Sequence, residues 1–494
     1  MSERKDEKRS GHKNFFNHSG EISLNDNFRF LKRRLSLMEK ITGSSHPGRI
    51  LIAAFAVLIV IGSLLLSTPP ANAAEHVSYI NHLFTAVSAV CVTGLSTVTA
   101  ATQYTTFGKV ILIILMELGG LGPMTVVAVF LANRRKRMAM SEKKFFAAAS
   151  GKSNLHDVPR YIRRIFLYTF VFELAGFILL SFRMTEVYGL KTGLFNALFL
   201  SVSAFTNAGF DPIGSSSLLA YAADPLVNLT VMTLIIFGGL GFVVWFELYD
   251  LLKSRFVKGN GIVRRHTYLS VHAKTVLKMT VSLLFSGAAL FYVFESENSG
   301  TIAGLDGLDI MLICLFQSVT LRTAGFATVN FGRCTRPMLM IMCFYMLTGG
   351  SPGGTAGGMK TTTVAVLSAT ASNTLKGNQN DAMISNRRIS PEMLKQAFVV
   401  LYLYLATLFI SLILLTVFEP GQDLLLLVFE AFSAIGTVGI SAGITSSLST
   451  GGRFVIMMLM FIGRLGPLSI YTAFQKEKKI ITHVTYPDAD IMIG

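Results

Sequence analysis

The sequence predicts an all-α polytopic membrane protein of four parallel repeats, each made of an outer helix, a short re-entrant helix, an extended glycine segment and an inner helix. Composition is the first observation. Of 494 residues, 51% are hydrophobic and 15% charged, and mean hydropathy is +0.55, the balance of a membrane chain rather than of soluble domains. The second is a period. Gly94, Gly209, Gly325 and Gly439 sit in similar short phrases and lie 115, 116 and 114 residues apart, as repetition of one folded unit would give. A second glycine phrase follows each of these at a nearly constant distance, which makes an accidental repeat implausible.

The chain opens on a tail, residues 1–49, carrying 11 Lys/Arg against 6 Asp/Glu, which reads as a basic cytoplasmic extension. Eight candidate spans follow, near 50–67, 108–132, 161–182, 226–250, 273–294, 337–370, 393–418 and 453–473. The first is not read as a cleaved signal peptide, although Ala71-Asn72-Ala73 resembles a cleavage site. It exceeds the usual apolar region of about 7–15 residues, and a long polar tail precedes it. Between the members of each pair lies a shorter apolar segment, at 79–91, 194–206, 307–321 and 424–436. About a dozen residues cannot cross a bilayer core of about 30 Å, so these segments fit re-entrant helices. The repeats are thus assigned to 50–133, 161–252, 273–375 and 393–475, with 476–494 as a cytoplasmic C-terminal tail.

The net charge of +16 is not spread as a nucleic-acid surface would require. Basic residues crowd into Arg134-Arg135-Lys136-Arg137, the stretch from Lys253 to Lys278 with Arg264-Arg265, Arg387-Arg388-Lys395, and Lys476, Lys478 and Lys479. The alternate short loops hold Glu75, Glu295, Glu297, Asp306, Asp309, Glu419 and Asp423. This alternation is the positive-inside pattern, which places both termini in the cytoplasm and the four glycine phrases outward. Cys91, Cys314, Cys334 and Cys343 form no CxxC pair or zinc spacing, so neither a disulfide framework nor a transition-metal site is expected.

The glycine phrases carry the chemistry. They comprise Val92-Thr93-Gly94, Asn207-Ala208-Gly209, Thr323-Ala324-Gly325 and Thr437-Val438-Gly439, each after a short apolar segment and before a span. Non-helical backbone at membrane depth is tolerated only where protein or a watery cavity surrounds it. Glycine permits positive φ, which lets consecutive carbonyls point one way and replace the hydration shell of a cation. Each repeat therefore reads as outer helix, pore helix, filter strand and inner helix around one pore.

The inner spans carry Gly119-Gly120-Leu121-Gly122, Gly238-Gly239-Leu240-Gly241, Gly349-Gly350-Ser351-Pro352-Gly353 and Gly463-Arg464-Leu465-Gly466. In the first two copies these residues read as sites of close helix packing. The third differs, because Thr348 to Thr363 holds six glycines and a proline. At about 1 kcal/mol per glycine and about 3 for proline, a continuous helix is improbable there, so an intramembrane loop is expected. Arg464 is the charge in the middle of the last span and has two readings. It faces the pore as a positive barrier, or its guanidinium is held by carbonyls of the broken helix. Glu117, Glu173 and Glu247 are weaker candidates, near helix ends or paired.

An enzymatic reading fails. GGTAGGMKTTT resembles a phosphate-binding loop, but Met359 interrupts the required Gly-Lys-Ser/Thr and no strand precedes it. Nor is there an Asp-Lys-Thr-Gly phosphorylation motif for an ATP-driven pump. A secondary transporter with inverted repeats would alternate the orientation of its copies, whereas here every copy begins and ends on one side.

The strings Ala89-Val90-Cys91-Val92-Thr93-Gly94-Leu95-Ser96, Phe205-Thr206-Asn207-Ala208-Gly209-Phe210-Asp211, Arg322-Thr323-Ala324-Gly325-Phe326 and Gly436-Thr437-Val438-Gly439-Ile440 resemble the filters of the Trk/Ktr/HKT superfamily. The likeness is greatest to the membrane subunit of bacterial Ktr-type potassium uptake systems, and it covers nearly all of the chain after about residue 50. It implies that the four glycines and the carbonyls just before them coordinate K⁺. Some sodium-favouring plant relatives have serine at the first position, so Gly94 makes K⁺ the preferred substrate over Na⁺. The resemblance further implies that Gly349, Gly350, Ser351, Pro352, Gly353, Gly354, Gly357, Gly358 and Lys360 form a gate, with Arg464 beside it. Arg322 matches the family's third repeat and is expected to donate hydrogen bonds to loop carbonyls behind the filter. No cofactor is expected in this chain, and Na⁺ is an expected activator. Expected partners are a second copy in a homodimer, a cytosolic ring of nucleotide-binding subunits and membrane lipid in a bacterial plasma membrane. The chain has no GxGxxG fingerprint of its own, consistent with a separate nucleotide-binding partner.

Overall fold

The computed structural model describes residues 47–74, 77–133, 158–214, 216–256, 268–377 and 382–474. The expected tails, Glu75, and the basic clusters at 134–137, 264–265 and 476–479 lie outside these residues or nearly so. The first quarter comprises α1 (Pro47–Leu66), α2 (Tyr79–Val90) and α3 (Thr106–Asn133). The second comprises α4 (Val158–Tyr188), α5 (Leu190–Thr206), α6 (Pro225–Gly239) and α7 (Phe242–Phe256). Next come α8 (Val271–Glu295), α9 (Gly307–Thr320), α10 (Arg336–Leu347) and α11 (Thr361–Leu375). A two-stranded hairpin, β1 (Met383–Ile384) and β2 (Arg387–Arg388), leads to α12 (Pro391–Phe418), α13 (Leu424–Gly436), α14 (Thr450–Leu465) and α15 (Pro467–Phe474). Long helix, short helix and inner helix recur in that order through the chain.

Local chemistry sets the helix starts. Ser270, Ser390 and Ser449 cap α8, α12 and α14 by accepting from the amide three residues on. Asp224 caps α6 just ahead of Pro225, whose missing N–H costs nothing in the first turn. The starts of α10 and α14 are also tied to the preceding long helices. Buried Glu295, at the end of α8, accepts from both the amide and the hydroxyl of Thr335 at 2.8 Å. Glu419, at the end of α12, does the same for the Ser449 amide at 2.6 Å.

The spans Gly48–Leu66, Arg163–Tyr188, Val271–Glu295 and Pro391–Phe418 are each long and apolar enough to cross a bilayer. They stand at the rim. Phe166, Leu167, Phe170, Val171 and Leu174 on α4 are exposed, a face suited to acyl chains rather than to water. The short helices lie inside instead. Phe84, Phe199, Phe205, Phe316 and Phe429, on α2, α5, α9 and α13, are fully buried, so the core is built around these four elements.

Two expectations need correction. The second inner segment reads in sequence as one span with close-packing glycines, but α6 and α7 meet at 102°, the turn made by Gly241 at φ +90°. The fourth also reads as one span, yet α14 and α15 meet at 89°, where Gly466 at φ +81° precedes Pro467. A residue in that left-handed region followed by proline ends a helix, and no packing argument overrides it. Close packing holds as well: a Cβ on Gly119, Gly238 or Gly463 would strike the carbonyl oxygen of Val90, Phe205 or Ile435, each on its own short helix. α3 runs unbroken through Gly119–Gly122, and the third inner helix is interrupted from Thr348 to Lys360 as expected. The hairpin was not foreseen; Ser385 and Asn386 form its turn with φ of 49° and 63°.

Candidate functional site

The four glycine phrases follow the C-termini of α2, α5, α9 and α13 and converge. A Cβ built on Gly209 would lie 2.7 Å from the Cα of Gly325 and 3.2 Å from that of Gly94, and one on Gly439 would lie 2.9 Å from the Cα of Gly94. Residues hundreds of positions apart thus meet on one axis. A Cβ at any of these four positions would press on the backbone of a neighbouring phrase, which would have to shift to admit it.

Their backbones share one alternation. The residue two before each glycine is left-handed, Val92 at φ 54°, Asn207 at 60°, Thr323 at 69° and Thr437 at 51°, and so is each glycine, at 101°, 72°, 82° and 89°. The residue between them is not. Left-handed backbone costs a non-glycine residue about 1–2 kcal/mol, and three of these four are β-branched, for which it is rarer still. Such strain persists only where surrounding structure holds it and gathers at functional sites. The carbonyl oxygens of Thr93, Ala208, Ala324 and Val438 come to the meeting point, each against a neighbouring glycine, and backbone carbonyls can bind a cation without a fixed charge.

The short helices supply the hold. The amides of Thr93, Ala208 and Val438 donate to the carbonyls of Ser88, Ser203 and Ser433 at 2.8–2.9 Å, and that of Ala324 donates to Thr320 at 3.1 Å. Hydroxyls add a second pin. Ser88 and Ser433 accept from the amides of Gly94 and Gly439 at 3.0 and 3.1 Å, whereas Ser203 and Thr320 donate to the carbonyls of Phe210 and Phe326 at 2.6 Å. Glu430 on α13 is fully buried and accepts from Ser441 and Thr445, fixing the segment after Gly439. Sequence reasoning missed these residues. The signal was there: a serine stands six residues before Gly94, Gly209 and Gly439, with Thr320 five before Gly325.

Arg322 departs from its expectation. It is buried, but its guanidinium donates to the Thr280 hydroxyl of α8 at 3.3 Å rather than to a loop carbonyl, and its Nε has no partner. It ties the third short helix to the long helix behind it.

The loop between α10 and α11 lies against the bend between α6 and α7. The amides of Ser351 and Thr355 donate to the carbonyls of Gly239 and Gly238 at 2.9 and 3.1 Å, and the Phe242 amide donates back to Gly353 at 3.1 Å. The Thr355 hydroxyl reaches the Phe205 carbonyl at 3.1 Å. The loop's ends are clipped by a bridge between Thr348 and Met359, with the Gly349 amide donating to Met359 at 2.8 Å. Gly350, Pro352, Gly354, Gly357 and Gly358 complete it, and a Cβ on Gly357 would strike the Thr437 side chain, which places the loop under the glycine axis. Lys360 folds its amine back onto the Ala356 carbonyl at 2.7 Å.

Arg464, at the end of α14, joins these parts. Its guanidinium donates to the carbonyl of Thr355 in the loop and to those of Gly119 and Gly120 on α3 at 2.5 and 2.7 Å. One of these carbonyls belongs to the broken helix, as one of the two readings expects, and the other two belong to the unbroken α3. Elsewhere, Glu117 of α3 and Glu173 of α4 are neighbours, each with a buried carboxyl oxygen that has no hydrogen-bond partner, and Glu247 accepts from the Ser270 amide at 3.0 Å.

Long apolar helices around four short buried ones, with four backbone segments meeting on one axis, define a polytopic membrane transport protein. The chain belongs to the TrkH family of cation transport proteins, whose model matches residues 27–482. The family transports cations, and the chain is not an enzyme. It is 34% identical over 448 residues to the Ktr system potassium uptake protein B of Bacillus subtilis (strain 168), a match covering 91% of this chain and 97% of that one. Identity to the protein of the same name from Vibrio alginolyticus is 34% over 450 residues, covering 91% and 95%. The potassium/sodium uptake protein NtpJ of Enterococcus hirae is 32% identical over 453 residues, covering 91% and 97%. The crystal structure of the potassium transporter TrkH from Vibrio parahaemolyticus shares the fold, with a TM-score of 0.67 at 17% identity over 87% of this chain and 85% of that one.

Proposed function

We propose that this chain carries K⁺ into the cell along the axis where Gly94, Gly209, Gly325 and Gly439 meet, each serving with the two residues before it as one wall of a selectivity filter. The observation that carries the reading is the alternation of left-handed backbone, repeated in all four phrases. Backbone oxygens so arranged replace a dehydrated cation's water without trapping it. Two potassium uptake proteins that are 34% identical to this chain support the choice of ion. A second reading, Na⁺ carriage, has the name of the NtpJ relative in its favour.

In this proposal residues 50–133, 161–252, 273–375 and 393–475 are four repeats around that axis, with both termini cytoplasmic. The loop from Gly349 to Lys360 is the gate and Arg464 its latch. A homodimer on a cytosolic nucleotide-binding ring, with Na⁺ as activator, completes the system, a view supported by relatives that are named as parts of Ktr systems. The test is uptake of K⁺, Rb⁺ and Na⁺ by a bacterium lacking its own potassium uptake, producing the full chain or its Gly94→Ser variant. The wild type is expected to carry K⁺ and Rb⁺ well above Na⁺, and Gly94→Ser to erode that preference. A wild-type chain moving Na⁺ but not K⁺ overturns the assignment.

A further inference from the structure

Above the four glycines, on the side to which the chain leads after each of them, lies a cavity of about 440 Å³. All four glycines line its floor, and hydroxyls of Ser96, Ser441 and Thr445 line its walls. Asp211 is the one charged residue among the described residues that line it. It stands two positions after Gly209, where the other repeats carry Ser96, Ala327 and Ser441, so the negative charge enters the mouth from one quarter only.

We propose that Asp211 gathers hydrated monovalent cations in this mouth and loads them onto the glycine axis. The inference rests on the transport reading above and adds a loading site to it. A carboxylate in a narrow, low-dielectric mouth focuses its field there and raises the local cation concentration. Neighbouring groups hold the side chain in place, since its Oδ1 accepts from the amides of Ile213 and Gly214 at 3.1 and 3.3 Å. Those contacts also make a turn, so a purely structural role would be served equally by asparagine. Charge is what separates the two roles. Lys109, in the first turn of α3, is the cation whose field reaches the group. Burial in the vestibule wall, partly offset by the Gly214 and Ile213 amides, the Ser217 hydroxyl and Lys109, pushes the Asp211 carboxyl up to about 6. The mouth opens to the external solution, so dissolved salt screens the carboxylate's field and loading weakens as ionic strength rises.

The experiment measures initial K⁺ uptake against external K⁺ at low and high ionic strength, set with choline chloride, in the deficient bacterium producing wild type, Asp211→Asn or Asp211→Glu. Wild type is expected to need more K⁺ for half-saturation at high ionic strength. D211N should raise the half-saturating concentration about 3- to 10-fold at low ionic strength, within the range that electrostatic focusing allows, and abolish the ionic-strength difference. D211E should restore both. An unchanged half-saturation in D211N, or a lower maximal rate with no other change, overturns the inference and leaves a turn residue. If D211N does not accumulate, wild type decides, because a half-saturation that ignores ionic strength overturns it equally. A wild-type chain that carries no K⁺ sinks the transport reading and this inference together, whereas failure of the D211N effect alone leaves transport standing.

Discussion

Replacing Arg464 with alanine removes two things. The first is the link to the loop, one charge-assisted hydrogen bond to Thr355, alongside two to Gly119 and Gly120 on α3. Such bonds are worth about 1.5–3 kcal/mol each, so losing the loop's share alone shifts a closed-to-open ratio by about 10- to 150-fold. The second, if the loop is the proposed gate, is a fixed charge beside the path: at an effective dielectric of about 20, two unit charges about 5 Å apart repel by roughly 3 kcal/mol, again about two decades in rate. The loop does not collapse, because Ser351, Gly353 and Thr355 keep their backbone bonds to the α6–α7 bend. Rubidium uptake by cells producing equal amounts of each chain should therefore rise at least about 10-fold in Arg464→Ala. Arg464→Lys separates the two terms, since it keeps the repulsion while losing the planar fork, and should lie between wild type and alanine. An alanine variant with wild-type flux at equal membrane abundance would refute both roles.

Two further outcomes follow from the geometry. Ser433→Ala removes the hydroxyl that accepts from the Gly439 amide at 3.1 Å, about 1 kcal/mol of support for one strained wall. Competition between Rb⁺ and Na⁺ uptake should show selectivity falling about five-fold, and unchanged selectivity would show that the backbone bond to the Ser433 carbonyl suffices. Glu117→Gln offers an amide donor to the neighbouring Glu173 and should cost under about 1 kcal/mol, whereas Glu117→Ala leaves that carboxyl without a polar neighbour there and should cost about 1–3. Thermal unfolding in detergent distinguishes them, and equal losses would mean that the two carboxyls do not depend on one another.

Much of this architecture is legible in the sequence because the repeat gives four readings of the same physics. The short helices were expected at 79–91, 194–206, 307–321 and 424–436 and found at 79–90, 190–206, 307–320 and 424–436. The bends at Gly241 and Gly466 were not read, although Gly466-Pro467 is a stop signal at the level of the dipeptide. Hydropathy continues across them, and a bent apolar pair looks like one straight span to any window average. The partners of Arg322 and Arg464 were beyond sequence for another reason. Each donates to groups supplied by other quarters or by the helix behind, which chain order does not rank. Ser88, Ser203, Thr320 and Ser433 are intermediate: their spacing is visible, but serine in a buried helix has many ordinary uses.

The interrupted helix between Leu347 and Thr361 has a stoichiometric consequence. One loop, resting on the α6–α7 bend, on Thr437 and on Arg464, lies beneath the glycines from a single quarter. A ring of four identical subunits would carry four copies of such a loop around the axis, because closed symmetry repeats every contact. Covalent fusion of the quarters into one chain removes that constraint. It lets the upper part of the axis stay nearly fourfold while the lower part abandons symmetry, and a single mutation there alters one contact instead of four.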